Sequence, residues 1–109
     1  MDDDGKPEWD DAAANVLVGQ TVLIGLTHVV GGNRVMRREQ LHGLIVSANS
    51  QGGFEVALEG RRAGETYWLP PHISAFQRAK RGEYRLRGTG EIVVDPDLIS
   101  NWTVSAPTT

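Results

Sequence analysis

Between residues 40 and 71 short apolar runs alternate with clusters of turn formers. The order is Gln-Leu-His-Gly-Leu-Ile-Val-Ser-Ala-Asn, Ser-Gln-Gly-Gly, Phe-Glu-Val-Ala-Leu-Glu, a polar turn, then Tyr-Trp-Leu-Pro-Pro. Runs rich in β-branched and aromatic residues, punctuated at this spacing, predict a tightly wound antiparallel meander. Upstream, residues 21–30 form another β-rich run in which Val22, Ile24 and Leu26 share one face by the two-residue period of a strand. Gly25 in its middle predicts a bulge or sharp bend. Gly31-Gly32-Asn33 can supply positive φ angles and close a hairpin onto a return strand over residues 34–46. The first half of that strand is polar and reads as an exposed ribbon. Its second half is apolar, with Gly43 permitting a bend.

The third strand is read at residues 54–58, with Phe54, Val56 and Leu58 inward and Glu55 and Glu59 outward. The fourth is read at 65–69 and ends at Pro70-Pro71, because proline cannot donate to a ladder. Residues 72–81 fit one helical turn, with Ile73 and Phe76 on one face. Residues 84–86 and 92–94 read as two further short strands around Gly88-Thr89-Gly90. Asp95-Pro96-Asp97 fits a helix cap with proline at the first helical position, so residues 96–101 are expected to make a second turn. Trp102-Thr103-Val104 is expected to pair at an edge.

Short strands, with no helix long enough to cross between parallel ones, predict an all-β fold: a compact antiparallel β-barrel or roll with one or two short helical turns. The order of runs at 22–26, 41–48, 54–58 and 65–69 resembles the bent five-stranded barrel of SH3-like and Sm-like proteins. Within it, Gly43 of Leu41-His42-Gly43-Leu44-Ile45 resembles the bend glycine of their second strand. The resemblance covers roughly residues 18–71 and concerns the fold. The nucleobase-binding signatures of Sm-like proteins are not recognisable, since the turn after the third strand reads Glu59-Gly60-Arg61-Arg62. Residues 81–86 and 94–97 are similar to segments of small uncharacterised bacterial proteins.

A chain of 109 residues with no cysteine is read as one domain without disulfide, thiolate metal site or cysteine nucleophile. The acidic start is not a signal peptide, and no apolar run is long enough to span a bilayer. A soluble, bacterial-style cytoplasmic protein is therefore expected, with no membrane partner. Residues 1–14 are read as an acidic, disordered leader, 15–104 as the domain and 105–109 as a flexible tail. The overall charge of −3 conceals an asymmetry: residues 1–11 carry −5, whereas residues 34–87 carry +5. The leader is either a solubilising tail or a cover for a basic face.

The three histidines, His28, His42 and His72, lack the spacing of a metal site, and His28 and His42 face one another only if the hairpin register allows it. Asp95 and Asp97 are explained by capping, and Glu55 and Glu59 by a solvated strand face. No serine sits in a nucleophile elbow, and no Gly-rich turn leads into a phosphate-cradling helix. No enzyme, cofactor or metal is therefore expected. What remains is binding. Tyr67, Trp68, Pro70, Pro71 and Trp102 are candidates for a protein-binding or self-association surface, with Tyr67 and Trp68 on opposite faces of one strand. Arg34, Arg37, Arg38, Arg61 and Arg62 are candidates for a nucleic-acid-binding face, since arginine engages phosphate through paired donors. The leading expectation is a non-enzymatic binding or scaffolding module acting on protein or on its own copies. The alternative is single-stranded nucleic-acid (RNA) binding.

Overall fold

The computed structural model describes residues 9–32 and 34–106. The elements run α1 (Asp11–Leu17), β1 (Thr21–Val30), β2 (Arg34–Asn49), β3 (Gly53–Leu58), a 3-10 turn at Gly60–Arg62, β4 (Thr66–Leu69), a second 3-10 turn at Ile73–Ala75, β5 (Phe76–Arg78), β6 (Glu83–Arg85), β7 (Ile92–Val94) and β8 (Leu98–Ala106). Six strands form one sheet in the order β4-β3-β2-β1-β8-β5, and β6 and β7 make a separate hairpin.

Alternation decides the two faces of the sheet. Val22, Ile24 and Leu26 of β1, Leu41 and Ile45 of β2, Phe54, Val56 and Leu58 of β3, Leu69 and Leu98 are buried together on the inner face. Phe54 is fully buried, with its ring 4.7 Å from Phe76 and 5.5 Å from Trp9. The contact between Phe54 on β3 and Phe76 on β5 shows that the sheet rolls over this core. On the outer face Leu23 is buried against Leu86 and Val93, so the β6–β7 hairpin covers the first part of β1. Gly43 allows a close approach: a Cβ there would overlap the backbone of Ala57 and Leu58 on β3.

The expected strands at 21–30, 34–46, 54–58, 84–86 and 92–94 are present within a residue or a few of their reading. The Gly31-Gly32 turn has φ of 61° and 94° at its two glycines, as the hairpin requires. The barrel is not closed, however: β4 and β5 are the two ends of the sheet. Pro70 and Pro71 offer no N–H, so β4 stops after Leu69 and cannot extend toward β5. Nor is the sheet wholly antiparallel, because β8 runs parallel to β1 from Val22↔Leu98 to Val30↔Ala106.

The helical turn expected at 96–101 is instead the start of β8. Asp97 does not cap a helix; its Oδ2 accepts from the Thr21 N–H at 2.9 Å and from the Thr21 hydroxyl at 3.2 Å. Only the first part of 72–81 is helical, and Phe76–Arg78 pairs with Leu98–Ser100 as β5. The expected pairing of Trp102–Val104 is seen, against Leu26, Thr27 and His28. Gly25 marks no bulge. The register shifts lie between His28 and Val29 and between Ile45 and Ser47.

The first eight residues of the acidic leader lie outside the described residues. Its last part is structured: α1 begins at Asp11, Asp10 caps it by accepting from Ala12 N at 2.9 Å, and Ala14 is in the core. No helix among the described residues is long and apolar enough to cross a membrane.

Candidate functional site

Strand β2 is longer than its partner β3. Pairing with β3 begins only at Gly43↔Leu58, so residues 34–41 have β1 on one side and no strand on the other. The chain leaving β3 turns alongside this open edge through the Gly60–Arg62 turn, held by the Glu59 N–H donating to the His42 carbonyl at 2.8 Å. Loop 86–91 between β6 and β7 comes in from the outer face. These three segments enclose a cleft of about 550 Å³, within the range of ligand sites.

Five arginines line it: Arg37, Arg38, Arg61, Arg62 and Arg87. Three glutamates, Glu39, Glu59 and Glu91, and His42 lie among them. The loop is fastened to β2 by Arg87 N donating to Gln40 Oε1 and to the 3-10 turn by Arg61 N donating to Glu91 Oε2, each at 2.9 Å. Thr89 closes the turn by donating from its hydroxyl to Glu91 Oε1 at 3.1 Å. Gly25 gives room to the Asn101 side chain in the cleft lining, where a Cβ would overlap Asn101 Oδ1.

Glu39 is the most engaged acid. Its Oε1 lies 3.1 Å from His28 Nε2 and 3.2 Å from Arg37 Nη1, and its Oε2 accepts from Arg62 Nη1 at 2.9 Å. Burial pushes its carboxyl up, yet hydrogen bonds from His28 and Arg37 and the charges of Arg37 and Arg62 outweigh burial and hold it below the usual carboxylate range. Glu91 is also held low, first by the backbone N–H of Arg61 and then by Thr89 and His42. Arg62 is raised, chiefly by its hydrogen bond with Glu65. Arg38, Arg61 and Arg87 make no side-chain ion pair among the described residues.

Four of the five arginines read from the sequence thus meet in one place. Arg34 does not; it is exposed near the hairpin tip, outside the cleft lining. Arg87 and Glu91 join the site through the docked β6–β7 hairpin, which no local pattern announces, and Gln40 of β2 receives the Arg87 N–H. His28 and His42 do not face each other, since His28 pairs with Arg37 and His42 with Leu23. His42 Nδ1 is 3.8 Å from Glu59 and its buried Nε2 is 3.7 Å from Glu91. Among the described residues no three His, Cys, Asp or Glu side chains converge as a metal site needs.

The aromatic candidates are dispersed. Trp68 is the exposed member of the Tyr67/Trp68 pair, half open to solvent on end strand β4, while Tyr67 packs on the core. Trp102 packs against the inner-face core, with its Nε1 donating to Ser100 Oγ at 2.7 Å and its ring 6.5 Å from Phe76. Trp68 and Trp102 therefore lie on opposite faces of the sheet. Pro70 is exposed and Pro71 half-buried at the end of β4. None of the five lines the cleft.

No family model matches the chain, and no curated protein or solved structure matches it. The architecture that stands is a small, β-rich fold with, among the described residues, one α-helix and two 3-10 turns.

Proposed function

We propose that this protein is a non-enzymatic binding module whose cleft takes the phosphate backbone of single-stranded nucleic acid. The observation that carries this reading is the convergence of Arg37, Arg38, Arg61, Arg62 and Arg87 on one cleft. Guanidinium groups present paired donors to phosphate oxygens, and Arg38, Arg61 and Arg87 make no side-chain ion pair among the described residues. No Phe, Tyr or Trp lines the cleft, so it has no large stacking platform for bases and recognition is of backbone rather than sequence. The interleaved glutamates keep the cleft only mildly positive, which implies modest affinity with a marked dependence on salt.

The test is fluorescence anisotropy of a labelled single-stranded RNA of about twelve nucleotides, titrated across ionic strength. Loss of two phosphate contacts in a protein carrying Arg38→Gln and Arg61→Gln is expected to reduce the slope of log K against log salt by about 1.4. An unchanged slope, or no binding by the parent protein, overturns the proposal.

A second reading is favoured by Trp68 alone. Half-exposed on a strand whose outer side is unpaired, it suits edge-to-edge contact with protein or a second copy. Light scattering across concentration tests it: Trp68→Ser should abolish any assembly, with little effect of salt.

A further inference from the structure

Resting on the phosphate-binding reading, we infer that Glu39 is the resident anion of the cleft and that a ligand phosphate binds by displacing its carboxylate from Arg37 and Arg62. The donors around Glu39 form an anion site already built. His28 approaches from β1, Arg37 from β2 and Arg62 from the 3-10 turn, and all three point at one carboxylate at 2.9–3.2 Å. A phosphodiester presents the same acceptor chemistry, one negative charge shared by two oxygens that can take charged donors at these distances.

Arg62 is the reason the site survives exchange. Its Nε and Nη2 donate to Glu65 Oε1 at 3.0 and 2.8 Å, while its Nη1 is spent on Glu39. Glu65 therefore keeps the guanidinium aimed when Glu39 leaves. Glu39 itself sits on the part of β2 that has no β3 partner. Its side chain is a quarter exposed and lines the cleft, so it can swing toward solvent without breaking the sheet. Arg37 is more open still, at 60 % side-chain exposure. The carboxylate thus competes with ligand for both cations, and removing its charge strengthens binding instead of weakening it. A glutamate acting only as a structural ion-pair partner makes the opposite prediction, because its loss would loosen Arg37 and Arg62.

The experiment compares Glu39→Gln with the parent protein, using the same labelled RNA at low and near-physiological salt. Glutamine keeps the size and the acceptor oxygen and removes the competing charge. Binding about tenfold tighter is expected. RNA binding by the parent that is equal or weaker in Glu39→Gln overturns this inference and leaves the phosphate-binding reading standing. No binding by either protein overturns both. A second readout needs no substitution: in the parent protein, the side-chain carboxyl carbon of Glu39, followed by NMR across pH, should titrate higher with RNA bound. An unmoved midpoint at saturating RNA counts against displacement, even if Glu39→Gln fails to fold.

Discussion

Gly60 lies directly against the carboxylate of Glu91. A Cβ on Gly60 would overlap Glu91 Oε2 and stand 2.6 Å from His42 Nε2. The same glycine has φ of +74°, in the left-handed region that other residues enter at a cost. One residue thereby lets the turn after β3 press against loop 86–91, and the cleft exists because they meet.

Gly60→Ala should therefore weaken both the fold and the site. The backbone penalty is about 1 kcal/mol, and displacing Glu91 from the Arg61 N–H adds to it. We expect a destabilisation of about 2 kcal/mol in urea, with loss of RNA binding at temperatures where the variant remains folded. Stability equal to that of the parent would show that the loop has room to yield.

The pH dependence follows from two carboxylates. Glu39 and Glu91 are both held below their ordinary value of 4.5 in the folded chain. Between the folded and unfolded values the unfolded chain binds more protons, so stability rises with pH across that window. The contribution is complete above the unfolded value and lost as pH falls through the lowered folded values. Urea midpoints of the parent should thus drop more steeply between about pH 5 and pH 3 than those of a Glu39→Gln, Glu91→Gln protein. Parallel profiles would mean that neither group is held low.

Phe54 joins the helix end of the chain to the core. It is fully buried, and its ring contacts both Trp9 and Phe76. Phe54→Ala should cost about 4 kcal/mol and Phe54→Leu about 1.5 kcal/mol. Trp9→Ala should cost about 1 kcal/mol, and in the double variant the two effects should fall short of additive by a similar amount. Additive effects would place Trp9 outside the folded unit.

What could be read from the residues was local. The strands at 21–30, 34–46 and 54–58 follow from a two-residue period and glycine turns, both written within a few residues. Helix α1 is hard to read because Ala12, Ala13 and Ala14 bring little apolar surface and their acidic neighbours match a solvated tail; the Asp10 cap is its one local signal. The arginines at 37, 38, 61 and 62 were legible as charge. Arg87 and Glu91 were not legible as partners, because they reach the cleft only when Leu86 and Val93 bury Leu23 on the outer face, a contact without sequence periodicity. The open sheet is illegible for a related reason: Pro70-Pro71 mark the end of β4, but closure also depends on where β5 forms, and β5 exists only through its pairing with β8.

Asp97 sits beside Pro96, where an aspartate can serve a helix or a strand with the same oxygen. Here the Asp97 N–H donates to Thr21 Oγ1 at 3.0 Å while Asp97 Oδ2 accepts from Thr21 N and its hydroxyl. This reciprocal clasp joins the first residue of β1 to the residue before β8 and starts the parallel register at Val22↔Leu98. Parallel pairing between distant segments has no tight turn to set it, so the clasp takes over the role that Gly31-Gly32 plays for β1 and β2. Asp97→Ala should then cost about 1.5 kcal/mol, and hydrogen exchange should show where. Amides shared by β1 and β8 should lose protection before those shared by β2 and β3, and Asp97→Asn, which keeps the acceptor oxygen, should recover part of the loss. Uniform loss of protection across the sheet would show that Asp97 contributes to overall stability without setting the register.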